Sequence, residues 1–580
     1  MKNILYILLL FSLSVNAQFI VMGGGPSTQA TVVPYDSTIF YVSNTGNDAN
    51  TGTNTDSAWA TISKVEGETF DPGDQILFNK GDTWRVLTSA SGGQWDINWK
   101  GTSGNYITLG TYGTGDRPRI LGSVVVPSWT DKGSNVWWGY YNGLDETEAL
   151  VDGRTIFELA DSTIWGIPTV SIATLDSVPN YYTVNDTIYV YSTSDPSTAF
   201  SSVEIMQVDN MVVFPCRTDS AIYFTVDGFE FAYSTDNLVR TGWPGGQDNG
   251  GDINGAIIKN NWFHHVGKID VGIGLSLYMS KQLIEDNIFN DCGRRAISIV
   301  PDGSYEANYL RNIVIQDNYF YNGWHSTSLD LNNLKAGNTV DSIIFRRNIV
   351  EEDPNAPWSG SATAPWYWSH GMYLTAQSGG DPVTGLYVYN NIYMYTKGNA
   401  IQYGDIDDSY FVFNTFYGTN TNRTGNPGYG IAAEGQTQTG IVIENNIFHA
   451  TTDFIRGFNA GTISTESEDY NLYHNDLYWN EANEGMIYYG GVLYSSEDIS
   501  DGTYTTGTSQ GANNPTPADP LLTFPIDGFW PPALPVSPEW MPGVGSPAIN
   551  AGTPISWITT DYYGNARSES TPTIGAVEYE

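Results

Sequence analysis

One short pattern recurs along most of this chain and limits its fold more than any other feature. From about residue 220 onward, a strand-like run ends in Asn and resumes with an apolar residue. The segments are Ile257–Phe263, Leu283–Phe289, Val314–Phe320, Ile344–Val350, Tyr387–Tyr393, Tyr410–Phe416 and Val442–Phe448. Asn261, Asn287, Asn318, Asn348, Asn391, Asn414 and Asn446 hold the fifth position of each, at separations of 26, 31, 30, 43, 23 and 32 residues. Units of roughly 20–30 residues with short β runs and no helical period read as coils of a β-solenoid. Asn suits a sharp corner because it tolerates left-handed backbone, and its amide can bond to the Asn one coil away. An antiparallel sandwich with Asn-rich turns is the competing reading. The long gap after Asn348 holds the Pro-, Ser- and Trp-rich stretch 356–370, read as a loop inserted into one coil.

Each coil offers a second strand: Ala296–Ile299, Ser328–Leu331, Gly371–Leu374, Ala400–Tyr403 and Gly430–Ala433. Alternation sends Ile297, Ile299, Leu329, Leu331, Met372, Leu374, Ile401, Tyr403, Ile431 and Ala433 inward. A polar stripe then faces outward: Ser298, Asp302, Asp330, Asn332, Tyr373, Thr375, Gln402, Asp405 and Glu434. The region from Trp137 to Gln207 breaks this rhythm. Leu150–Gly153 reads as a turn, and Tyr181–Tyr191 as a hairpin around Asn185-Asp186.

The remaining features bound the class. Lys2, the apolar run Ile4–Phe11 and small residues up to Ala17 read as a secretory signal peptide cut at Ala17-Gln18. No later stretch is long and apolar enough to span a bilayer as a helix. The expectation is an exported monomer, extracellular or periplasmic, without membrane insertion. Two cysteines, Cys216 and Cys292, could pair but make no disulfide framework. A formal net charge of −39, from 63 acids against 24 bases, excludes nucleic acid as a partner, because phosphates need a basic face. Of those bases, 12 lie between Lys259 and Arg456, which allows a local anion-tolerant cleft.

The coil repeat and two terminal stretches together resemble the pectate-lyase-like superfamily. At the N-terminal side these are Phe40–Asp48, Gly52, Trp59–Ile62, Gly73–Phe78 and Gly81–Trp84. At the C-terminal side they are Gly545–Gly552, Asp561, Gly564, Arg567 and Ile574–Ala576. The resemblance covers most of residues 38–580. It implies an all-β chain, a right-handed parallel β-helix with a small antiparallel β insertion. It also implies a secreted enzyme acting on a polysaccharide. The expected organisation is a signal peptide (1–17), a cap with first coils (38–136), a β-hairpin insertion (137–210), central coils with the cleft (211–465) and C-terminal coils with a closing segment (466–580). The superfamily includes lyases, hydrolases, esterases and adhesins, and no complete catalytic signature of a pectin hydrolase or pectate lyase is present. Reaction type must therefore come from the site itself.

Glycoside hydrolysis needs two carboxyl groups, about 5–5.5 Å apart for retention or roughly 6.5–9.5 Å for inversion. Coils about 4.8 Å apart act as a ruler. Asp330 is the first choice, with Asp302 one coil back and Asp405 two coils on. His325 and His370 are candidates for proton transfer at a shared corner. Arg294, Arg295 and Lys335 would suit a carboxylate or sulfate on the sugar, or would pair with this acidic body. Trp324, Trp368 and Tyr373 offer stacking faces for sugar rings, with Gln402 and Glu434 as polar contacts. Hydrolysis of a charged algal or plant-wall polymer, sulfated ones included, is the first reading and requires no cofactor. The alternatives are β-elimination on a uronate polymer and a non-catalytic sugar-binding role. Asp48, Asn50 and Asp56 carry hard oxygen ligands for Ca²⁺, although turn chemistry explains them as well.

Overall fold

The computed structural model describes residues 37–86, 94–141, 149–151, 154–155, 181–214, 222–242, 255–266, 272–301, 309–323, 325–334, 336–352, 370–376, 380–396, 398–418, 429–434, 438–449, 453–457, 467–474, 485–489, 492–523 and 539–579. From Ser37 onward these residues form one compact unit.

The repeat folds as its spacing predicts. Three long parallel sheets run side by side, with strands stacked in chain order. Among the described residues they hold 13, 11 and 12 strands. Each coil contributes one strand to each sheet in turn, which makes the chain a right-handed parallel β-helix. The inward positions form one continuous apolar column from Val42 to Tyr504. On the second sheet, rings at one register position pile on each other: Phe231, Phe263, Phe289 and Phe320 have centroids 4.8–5.4 Å apart. Tyr393, Phe416, Phe448 and Tyr473 repeat that stack at 4.8–5.3 Å.

The corner between the first and second sheets carries the asparagines. Asn261, Asn287, Asn318, Asn348, Asn391, Asn414 and Asn446 are all buried and linked in sequence, and Asn471 adds an eighth rung. From Asn287 onward each Oδ1 accepts the backbone N–H and the Nδ2 of the asparagine one coil earlier, at 2.9–3.2 Å. Each Nδ2 also donates to a backbone carbonyl of the preceding coil, as Asn318 does to Ile284 at 2.9 Å. The left-handed residue is not the ladder asparagine, as the sequence suggested, but the one before it. That residue is Asn260, Asp286, Asp317, Arg347, Asn390, Phe413, Asn445 or Tyr470, with φ between 52° and 59°. Arg, Phe and Tyr gain nothing from left-handed backbone, so the ladder bonds must offset the strain there, about 1–2 kcal/mol for a non-glycine residue.

The antiparallel strands form two four-stranded sheets between Ser123 and Met206. The hairpin expected at Asn185-Asp186 is present, with both turn residues left-handed (φ 46° and 57°). Val126, Tyr141, Ile188, Val190, Val203 and Ile205 give this insertion its own small core. At the first coil, Gly52 sits at φ 76° against the Trp59 indole. A Cβ there would lie 2.4 Å from the ring, so only glycine fits. Near the other end, Val492–Ser495 turns back antiparallel on Gly485–Tyr489. Cys292 is a buried free thiol, so the pairing considered for it is not formed; Cys216 lies outside the described residues.

Candidate active site

All five predicted second strands are present, and their inward residues are buried. They build the third sheet. One outward row crosses it in strict register: Arg240, Ser276, Ser298, Asp330, Tyr373, Gln402 and Ala432. The row points away from the apolar column, yet Ser276, Ser298 and Asp330 are almost fully buried.

Local backbone geometry fixes the middle of this row. The N–H groups of Arg294 and Arg295 both reach the carbonyl of Gly272, at 2.8 and 3.0 Å. Those of His325 and Ser326 both reach the carbonyl of Arg294, at 3.1 and 3.0 Å. The His370 N–H then bonds the His325 carbonyl at 2.9 Å. Arg294, His325 and His370 thus occupy one corner on successive coils. Within the strand Ser326–Asn333 the register slips: Arg295 pairs with Ser326 but Ile297 pairs with Leu329. The extra residue is a bulge, and it swings the chain just ahead of Asp330.

Asp330 is fully buried between two bases. Arg295 Nε donates to its Oδ2 at 2.5 Å, and His325 Nδ1 lies 3.3 Å from the same oxygen. Burial alone would raise the carboxyl, but the Arg295 guanidinium and His325 outweigh it and hold the group below its ordinary value. Asp330 is therefore ionised at neutral pH. Its other oxygen, Oδ1, has no hydrogen-bond partner, and neither does Ser298 Oγ on the adjoining strand. His325 Nδ1 also lies 3.1 Å from Ser326 Oγ, while a quarter of the side chain remains exposed. The Tyr373 ring meets His325 edge-on at 5.3 Å and stacks on His370 at 5.6 Å.

The structure thus brings together Asp330, Arg295, His325, His370 and Tyr373, with Gln402 one strand further and held by Asn399 Nδ2 at 2.8 Å. Two expectations are corrected. The residue beside Asp330 one coil back is Ser298 and not Asp302, because the strand Arg295–Ile299 ends before that position. Two coils on it is Gln402 and not Asp405. Asp405 lies past the end of its strand at a left-handed corner (φ 51°), where its carbonyl accepts the Val383 N–H. Asp302, Trp324, Lys335 and Trp368 lie outside the described residues. So does the side chain of Glu434, whose backbone pairs with Gly404.

Of the expected Ca²⁺ ligands, Asp48 and Asn50 use side-chain atoms in local hydrogen bonds. Asp48 Oδ1 accepts the N–H groups of Ala60 and Thr61, and its Oδ2 accepts the Thr61 hydroxyl at 2.7 Å. Burial pushes its carboxyl up, but these three donors hold it below its ordinary value. Asn50 Nδ2 donates to the Ala58 carbonyl, and the Asp56 N–H bonds Asn54 Oδ1. This is turn chemistry.

Sequence reasoning missed the start of the same face. Asp209-Asn210 and Asp236-Asn237 repeat at a spacing of 27 residues, a pair of signals legible in the chain. Asn210 Oδ1 accepts from Asn237 Nδ2 and from Arg240, at 3.1 and 2.9 Å. Burial and the negative charge of Asp209 push Asp236 up to about 6, against the pull of Arg240 and Arg295. Arg295 thus lies within electrostatic reach of a depressed carboxylate and a raised one.

No protein-family model and no curated protein matches the chain. Among solved structures it is similar to XylC in complex with xylose, with a TM-score of 0.52 and 15% identity over 93% of this chain and 98% of that one. It is also similar to a structure described as a glycoside hydrolase (TM-score 0.47, 11% identity, 79% and 96% covered). A third is pectate lyase Pel9A (TM-score 0.41, 14% identity, 95% and 98% covered). At 15% identity the likeness to the first of these shows the fold alone.

Proposed function

We propose that this parallel β-helix, of pectate-lyase-like architecture, is a polysaccharide-cleaving enzyme that hydrolyses a glycosidic bond on the outer face of its third sheet. One observation carries the reading. Asp330 is a buried, ionised carboxylate with one oxygen clamped by Arg295 and His325 and the other without a donor. An unsatisfied buried polar atom costs roughly 1–3 kcal/mol, more when charged, so a structural role alone is a poor account of it. An ionised carboxylate with a free oxygen is what attacks or stabilises the positive anomeric carbon of a cleaving sugar.

A proton donor must face it. Asp236, with its raised carboxyl, stands three strands away, about 14 Å along the axis. That exceeds the roughly 6.5–9.5 Å of an inverting pair, so His325, already beside Asp330, is the better donor. Tyr373 supplies a sugar-stacking face. The Arg295 charge is taken up by Asp330. That a protein of the same fold was solved in complex with xylose supports a sugar ligand.

β-Elimination is the second reading. The residues in register beside Asp330 are Ser298 and Tyr373 and not a second carboxylate, while Arg, His and Tyr are the groups that chemistry uses. The decisive experiment incubates the purified protein with a panel of neutral, uronate and sulfated polysaccharides, following reducing ends and unsaturated-sugar absorbance. Hydrolysis gives reducing ends alone; elimination gives both. Asp330→Asn, checked for folding by circular dichroism, should lose at least ~10²-fold in kcat. Turnover within a few-fold of wild type would remove Asp330 from the reaction.

A further inference from the structure

The chain has six histidines, and all fall into three close pairs: 264/265, 325/370 and 449/474. The first two pairs are committed. His264 Nδ1 lies 2.8 Å from His265 Nδ1, a hydrogen-bond distance, and His264 Nε2 lies 3.1 Å from Glu230. His325 serves Asp330. The third pair sits elsewhere, on the outer face of the second sheet, where Tyr417, His449 and His474 occupy one register row.

His449 Nδ1 and His474 Nδ1 face each other at 3.3 Å. A carboxylate from outside the coil joins them. The Ala518 N–H bonds the Tyr473 carbonyl at 3.1 Å and lays the closing segment beside the last coils. The donor atoms of His449, His474 and Asp519 then lie within 4.8 Å of one another. Zinc holds nitrogen ligands at about 2.0–2.1 Å, so two nitrogens on one tetrahedral ion stand about 3.3–3.4 Å apart. The separation here matches that span and is long for a direct hydrogen bond. Orientation is provided too. The Tyr417 ring stacks on His449 at 5.2 Å, and Asp519 Oδ1 accepts the Leu521 N–H at 2.7 Å, which turns the carboxylate. His449 is buried, His474 half-buried and Asp519 exposed, so an ion can enter from solvent.

We propose that His449, His474 and Asp519 bind one divalent transition-metal ion with zinc's ligand preference. The ion ties the closing segment to the outer face of the second sheet, where Leu522 and Trp540 already pack against Ile447 and Leu472. It is distinct from the proposed reaction centre.

The test uses the full chain, stripped with chelator and titrated with Zn²⁺ by calorimetry and thermal melting, with Mg²⁺ as control. Hard cations find many carboxylates on this acidic surface but do not select imidazole. One high-affinity Zn²⁺ per chain is expected, with a rise in Tm of several degrees that Mg²⁺ does not reproduce. His474→Gln should weaken binding at least ~10-fold and abolish the shift. Asp519→Asn, an exposed change that spares folding, should weaken it as well. An anomalous peak at the zinc edge between the two imidazoles would fix the position. No Tm response to Zn²⁺, or a response undiminished in both variants, would overturn the proposal.

Discussion

Two polar tracks run along this β-helix, the asparagine corner and the outer face of the third sheet, and they follow opposite rules. At the corner the same residue returns on every coil and each amide finds partners above and below. Asn318 alone makes five side-chain bonds, to Asn287, Ile284, Gln316 and Asn348. On the sheet face no two neighbouring residues in the Arg240-to-Ala432 row match except Ser276 and Ser298, and two buried oxygens stay without donors. Repetition is how a solenoid satisfies buried polar groups, because each rung is the partner of the next. A row that abandons repetition gives up that satisfaction, and this is the ground on which the reaction centre is proposed there.

The contrast can be broken at either track. The largest effect is expected from Arg295→Ala, which strands the buried Asp330 charge. Removing one member of a buried pair costs about 3–5 kcal/mol, read as a fall in Tm and denaturant midpoint. If stability holds and only KM rises, the guanidinium belongs to substrate and the face is less strained than described. Next comes Asn318→Ala, which removes the acceptor of the Asn287 N–H and a donor to the Ile284 carbonyl. A loss of about 2–4 kcal/mol with kcat unchanged is expected in chemical denaturation and assay together. A neutral result would mean the ladder contributes register and not stability.

The smallest effect concerns Asp236. Its folded-state value is raised from 3.8 to about 6. Between those values the native chain holds a proton that the unfolded chain has released. Stability therefore falls as pH rises through that window and stays lower above it. Asp236→Asn should flatten this slope and stabilise the protein at pH 7 by on the order of 1–2 kcal/mol. The same slope from pH 4 to 6 in wild type and Asp236→Asn would show that Asp236 ionises normally.

The fold was legible because its signal repeats. Seven asparagines at one motif position predict the ladder, and five alternating strands predict the third sheet. The eighth rung, Asn471, was missed because Tyr470-Asn-Leu-Tyr473 follows polar residues where the other coils have apolar ones. The site was legible in part. Asp330, Arg295, His325, His370 and Tyr373 could be named because alternation and corner position act within one coil. Their partners could not, because pairing across coils depends on register. The single extra residue before Leu329 cannot be read from spacing, and loops of unequal length hide which residue of the next coil lands beside Asp330. Asp405 was misplaced for that reason: it follows its strand's last residue, Gly404, where alternation no longer applies.

The ladder has one more consequence. Asn348 and Asn391 are 43 residues apart, Asn391 and Asn414 only 23, yet the amide bonds across both gaps are 3.2 and 3.0 Å. Closing the longer stretch costs only about 0.6 kcal/mol more, since loop entropy grows with the logarithm of length. The scaffold is therefore nearly indifferent to what is spliced between rungs. Segments of very different length can be carried between rungs while the spine beneath stays as it is.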